Sequence, residues 1–146
     1  MFETVVVATD GSESVARAID CTLDLASRFD ATVHALYVVN ENRAGGLPDD
    51  LHDDVLEALD ERGRNALERV ISANEAHDAA VPLRTAVRSG RPADVIIDYV
   101  REIDADAVAM GTRGRSGEHS YLLGSVAEAV VRTCPKPVLT VRQLEP

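Results

Sequence analysis

The chain has no tryptophan, two phenylalanines, three tyrosines, two cysteines and a single lysine in 146 residues. With so few aromatics, its core has to be built from Ala, Val, Leu and Ile, which a 45% apolar content supplies. No apolar run reaches the ~18 residues of a membrane span, so no membrane partner is expected. The opening MFETVVVATDG has neither a basic n-region nor a long apolar h-region. No secretory signal is read there, and the expected location is the cytoplasm. Cys21 and Cys134 stand far apart and in no CxxC arrangement, which reads as two reduced, partly buried thiols. A formal charge of −10 denies the chain the basic surface that displaces counterions from nucleic acid, so no nucleic-acid partner is expected.

The charge that is present is uneven. Residues 41–78 carry eleven acids and four arginines, while residues 111–142 carry five bases against Glu118 and Glu128. Arginines number fourteen. An Asp-rich, Lys-poor surface is consistent with a salt-adapted, halophilic host, and a GC-rich genome would explain the arginine bias equally well.

The length favours one domain over residues 1–146. Thr4 to Ala8 is a short β-branched run, read as a buried strand, and it ends in the turn cluster Thr9-Asp10-Gly11-Ser12. Val15, Ile19, Leu23, Ala26 and Phe29 recur at spacings of three and four and predict a helix face. Ala31 to Val39 reads as a second strand, and the loop Asn40 to Pro48 follows. A long acidic helix is predicted from about Asp49 to Ala76, with Leu51, Val55, Leu59, Ala66, Leu67 and Val70 inward. Gly63 inside it costs about 1 kcal/mol relative to alanine. The acids Asp49, Asp50, Asp53 and Asp54 read as a solvated face that suits the helix N-terminus. Leu83 to Arg88 is a third strand. Pro92 opens a helix bearing Ile96, Tyr99, Val100 and Ile103. Ala107 to Met110 is a fourth strand, Ser125 to Thr133 a helix stopped by Cys134-Pro135, and Val138 to Val141 a fifth strand. Strict alternation of short Val-rich strands with helices predicts an α/β three-layer sandwich, a parallel sheet covered on both faces.

Between the fourth strand and the last helix lies GTRGRSGEHSYLLGS, residues 111–125, with four glycines, two arginines and three serines. A glycine-rich loop leading into a helix at the carboxyl end of a parallel strand suits an anion, because the first helical N–H groups lack partners. Gly111 and Gly114 would let the backbone approach a phosphate, Gly124 and Ser125 stand at the helix entry, and Arg113 and Arg115 could add charge. The same glycines could do no more than permit a long surface loop. Asp10 could make an Asp-Gly turn or a cap, or, from the end of the first strand, meet ribose hydroxyls or a phosphate-bound metal. Neither GxxxxGK[ST] nor a GxGxxG after the first strand is present, which excludes a P-loop enzyme and an ordinary dinucleotide fold.

Gly111-x2-Gly114-x9-Gly124-Ser125 resembles the G-x2-G-x9-G-[S/T] pattern of ATP-binding universal stress proteins. Ala8-Thr9-Asp10-Gly11-Ser12-Glu13 is similar to that family's first-strand signature, and Cys134 to Arg142 to its closing segment. Ala8 stands where many relatives have proline. The resemblance covers essentially the whole chain and implies a five-stranded parallel sheet in order 3-2-1-4-5, with ATP at the switch between strands one and four. It implies Asp10 at the ribose side and the backbone around Val39 against adenine. Met110 and Gly111 would lie beside the nucleotide, and Gly114, Gly124, Ser125 and Val126 on the phosphates, with Arg113 within the motif. It also implies a stress-response role and a homodimer through Val138 to Val141, which would remove an exposed sheet edge. Magnesium or manganese accompanying the triphosphate would take most ligands from phosphate and water.

No catalytic base is identified and no protein metal site is read. His119 lies in the loop, and His34, His52 and His77 have no ligand spacing. At most weak ATP hydrolysis is expected. The alternatives are a dimeric interaction module without nucleotide and a slow adenine-nucleotide hydrolase.

Overall fold

A computed structural model describes residues 2–40, 48–112 and 123–144. The chain runs β1 (Thr4–Thr9), a single 3₁₀ turn (Glu13–Val15), α1 (Ala16–Phe29), β2 (Thr32–Val39) and α2 (Asp49–Ala76). It continues with β3 (Leu83–Ser89), α3 (Pro92–Glu102), β4 (Ala107–Gly111), α4 (Ser125–Thr133) and β5 (Val138–Val141). All strand pairings are parallel, in the order β3-β2-β1-β4-β5. Among the described residues no helix is long and apolar enough to cross a membrane. Cys21 and Cys134 are free thiols, each half-buried.

The period of two along each strand sorts the core into two layers. Val5 and Val7 of β1, with Val33, Ala35, Tyr37 and Val39 of β2, face α1 and α2. Val6, Leu36, Val108 and Met110 point the other way, onto Ile96, Tyr99 and Val100 of α3 and Ala127 and Val130 of α4. β1 sits mid-sheet, its Val6 matched with His34 on one side and Val108 on the other, which is why its valines are fully buried.

Two expected core positions lie outside. Leu51 is 49% exposed, because α2 buries its stripe only from Val55 onward, over Leu59, Ala66, Leu67 and Val70. Phe29 ends α1 at 50% exposure and meets Phe2 edge-on with ring centroids 5.3 Å apart. Gly63 has a packing reason. A Cβ there would stand 2.7 Å from Cδ1 of the buried Tyr37 ring, so glycine lets α2 lie against β2. Asn74, near the end of α2, ties that helix to the chain leading into β3. Its amide donates to the Val81 carbonyl at 2.8 Å and accepts the Val81 N–H at 3.0 Å.

Candidate functional site

β2 and β4 lie on opposite sides of β1, and the order in which the parallel strands are added reverses between β1 and β4. Connections leave those strand ends in opposite directions and open a crevice there, where ligands of such sheets bind. A cavity of about 300 Å³ occupies it. That volume is at the lower end of the ~300–1,000 Å³ typical of small-molecule sites.

Three kinds of surface meet in the cavity. The first is carboxylate. β1 ends in a turn in which Thr9 Oγ1 accepts the Gly11 N–H at 3.1 Å. Asp10 Oδ1 accepts both the Ser12 N–H at 2.9 Å and the Ser12 hydroxyl at 2.6 Å. Gly11 supplies the positive φ of 80° that this turn needs. The turn fixes the Asp10 carboxylate at the cavity wall, where an acceptor-only group suits hydroxyl donors. Among the described lining residues, Asp10 carries the sole charge.

The second surface is apolar. Leu36 and Val38 of β2, Ile96 of α3 and Met110 of β4 project from the α3/α4 side of the sheet. They make a wall suited to a flat apolar ring. Asn40 follows at the same parity and also lines the cavity. Val39 does not line it. Its side chain enters the α1/α2 core, and its carbonyl accepts the Gly90 N–H at 2.9 Å.

The third surface is the start of α4. Gly124 is its N-cap, extended at φ −68° and ψ 165°, and carries no side-chain capping bond. The first helical bond runs from the Glu128 N–H to the Gly124 carbonyl at 2.9 Å. The N–H groups of Ser125, Val126 and Ala127 therefore have no intrahelical acceptor, and those residues line the cavity. With the helix dipole they form a positive pole made of backbone alone. The entry is held by one residue. The Gly124 N–H donates to the Thr112 carbonyl, while the Thr112 N–H donates to the Val141 carbonyl of β5 at 3.2 Å.

Of the residues singled out in the sequence, Asp10, Met110, Gly111, Gly124, Ser125 and Val126 converge on this cavity. Arg113 and Gly114 lie outside the described residues, as do Arg115 and His119. Gly111 owes its glycine to a neighbour. A Cβ there would stand 3.0 Å from the Ser14 carbonyl oxygen, which the 3₁₀ turn lays across the end of β4. Leu36, Val38, Asn40, Leu59 and Ile96 were not expected at the site, Leu59 and Ile96 reading only as helix core positions, although the parity of β2 could have pointed to the first three. Among the described residues no group of three or more His, Cys, Asp or Glu could hold a metal ion.

The model of the universal stress protein family matches residues 1–142. A universal stress protein of Methanocaldococcus jannaschii is 35% identical over 144 residues, which is 98% of this chain and 84% of that protein. The solved structure of universal stress protein UspA from Lactobacillus plantarum superposes with a TM-score of 0.82 at 27% identity, covering 97% of this chain and 98% of that one. A universal stress protein solved in complex with cAMP superposes with a TM-score of 0.68 at 28% identity over 97% of each chain.

Proposed function

The chain belongs to the universal stress protein family, and from that premise we propose that it is a cytoplasmic regulatory protein that binds ATP at the switch between β1 and β4. The observation that carries this reading is the uncapped start of α4 facing the cavity across from the Asp10 turn and the apolar wall of β2 and α3. An adenine nucleotide has the matching sequence of chemistries. Its base suits Leu36, Val38, Ile96 and Met110, its ribose hydroxyls suit Asp10, and its phosphates suit the amides of Ser125, Val126 and Ala127. Gly114 and Arg113 belong to the same phosphate motif. The cAMP complex of a relative supports an adenine nucleotide as the ligand class. A metal ion would ride on the phosphates and water rather than in a protein cage.

Asp10 is the one titratable side chain among the described lining residues, and it is committed to a turn. That favours binding over turnover. Dimerisation through β5 follows the same reading, since β5 is an edge strand with Leu139 39% exposed. Leu139→Asp should then shift sedimentation from dimer to monomer.

The nucleotide site is tested by calorimetry of ATP with magnesium against the purified chain and its Gly124→Val variant. Side-chain bulk at the N-cap should weaken ATP at least roughly tenfold, the loss of one or more charge-assisted hydrogen bonds. Unchanged affinity in a folded Gly124→Val protein would remove the phosphate site from α4.

A further inference from the structure

The turn after β1 shows two faces. Asp10 lines the cavity at the switch point, while Gly11 and Ser12 line a separate recess together with Arg69 of α2. Arg69 does not line the first cavity. Its Nη1 donates to the Gly11 carbonyl at 2.8 Å. Among the described residues Arg69 is in no ion pair, so a backbone carbonyl rather than a carboxylate holds its guanidinium.

That carbonyl belongs to the same planar peptide group as the Ser12 N–H, and in a trans peptide the two point opposite ways. The Ser12 N–H donates at 2.9 Å to Asp10 Oδ1, which also accepts the Ser12 hydroxyl at 2.6 Å. One peptide plane is therefore held at both edges, by Arg69 of α2 on its carbonyl and by Asp10 on its N–H. The hold matters because Gly11, at φ 80°, lacks the Cβ that would restrict rotation of the adjoining peptide. Thr9 Oγ1 secures the Gly11 N–H, which belongs to the preceding peptide, and leaves the Gly11–Ser12 plane to Arg69 and Asp10. A cation on the carbonyl also polarises the group and strengthens its N–H as a donor.

From this shared plane we infer that Arg69 is a positioning residue for Asp10. It sets the peptide that orients the carboxylate and does so from outside the cavity. Its effect on a ligand rests on the nucleotide reading, in which Asp10 meets the ribose hydroxyls. Its hold on the turn belongs to the unliganded protein and is measured there.

The test uses Arg69→Met, which keeps the length of the side chain and removes its donors. Residue 69 is exposed on α2, so the variant should fold. In the unliganded protein, hydrogen exchange of the Ser12 amide should quicken roughly threefold to tenfold, while the buried Leu67 amide of α2 keeps its rate. Calorimetry then compares ATP with 2′,3′-dideoxy-ATP, which lacks the ribose hydroxyls. Wild type should prefer ATP, and Arg69→Met should cut that preference roughly threefold or more while dideoxy-ATP affinity stays the same. In an Asp10→Ala background, Arg69→Met should change neither affinity, because both substitutions remove one interaction. An unchanged Ser12 exchange rate in Arg69→Met overturns the inference. Equal weakening of both nucleotides overturns it too, since that is the mark of a general structural loss. A wild type that binds ATP and dideoxy-ATP alike refutes the placement of the ribose at Asp10, and the Ser12 rate then decides the positioning role alone.

Discussion

Replacing Gly63 with alanine sets packing against helix propensity at one position. Propensity alone gains about 1 kcal/mol from the change in a helix interior. The structure opposes it. The new Cβ would stand 2.7 Å from Cδ1 and 3.0 Å from Cε1 of Tyr37. That ring is 3% exposed and is carried by β2, whose Tyr37 pairs with Thr9 of β1. The ring is buried in the core that β2 shares with α2, so α2 has to lift away. Overpacking of this kind costs about 1–3 kcal/mol, which leaves a net loss of about 0–2 kcal/mol after the propensity gain. At roughly 3 °C per kcal/mol for a chain of this size, the melting temperature should fall by up to about 6 °C. Leu59, one turn earlier on α2, lines the cavity proposed to bind nucleotide, so on that proposal ATP affinity should fall alongside stability. The assay is thermal and urea unfolding of wild type, Gly63→Ala and Asn65→Ala. Asn65 is exposed on the same helix and should gain a few tenths of a kcal/mol from alanine. If Gly63→Ala stabilises as much as Asn65→Ala, the Tyr37 contact does not limit how α2 packs and the reasoning fails.

Asn74→Ala removes both bonds to Val81 and leaves its buried N–H and C=O unpaired, at about 1–3 kcal/mol for each group. Urea unfolding should show a loss of about 2–6 kcal/mol with an unchanged m-value. The Asp106 carboxylate accepts the Glu3 N–H at 2.8 Å and the Thr4 N–H at 3.0 Å. Those bonds, with Lys136 and the chain's amino terminus nearby, hold its pKa below the ordinary 3.8. Its folded pKa is depressed, so its contribution is present above pH 3.8 and is lost as pH falls through the folded value. Asp106→Asn should therefore lower the melting temperature near neutrality and converge with wild type in acid. Burial, then the positive charge of Arg84, holds the His34 imidazole below its ordinary 6.5. The unfolded chain takes up that proton first, so stability declines as pH falls from 6.5 toward the folded pKa. His34→Gln should flatten that part of the melting curve against pH.

Most element bounds were legible because two periods, two and 3.6, alternate cleanly along the chain. The bounds of α2, α4 and β5 coincide with the sequence expectation, each set by a proline or an abrupt change in hydropathy. What could not be read locally depends on contacts distant in sequence. Leu51 fits the inward stripe of α2 and is nevertheless exposed, because a stripe does not reveal where the neighbouring layer ends. Gly63 looked like a propensity defect and Gly111 only like a loop glycine beside the nucleotide. Their nearest obstacles are Tyr37 and the Ser14 carbonyl, which no spacing rule links to them. Within the candidate site, the helix entry and Asp10 were visible as turn and cap chemistry. The apolar wall was visible only as parity, which puts Leu36, Val38 and Asn40 in the cavity and the Val39 side chain in the core.

On the proposed reading, the amides at the start of α4 that lack an intrahelical acceptor receive the phosphates of an adenine nucleotide. Amide NMR during an ATP titration measures this directly. The Ser125, Val126 and Ala127 N–H resonances should move downfield and saturate together with the Asp10 and Met110 signals. Saturable ATP binding that leaves those three amides unshifted, or no binding at all, would contradict it.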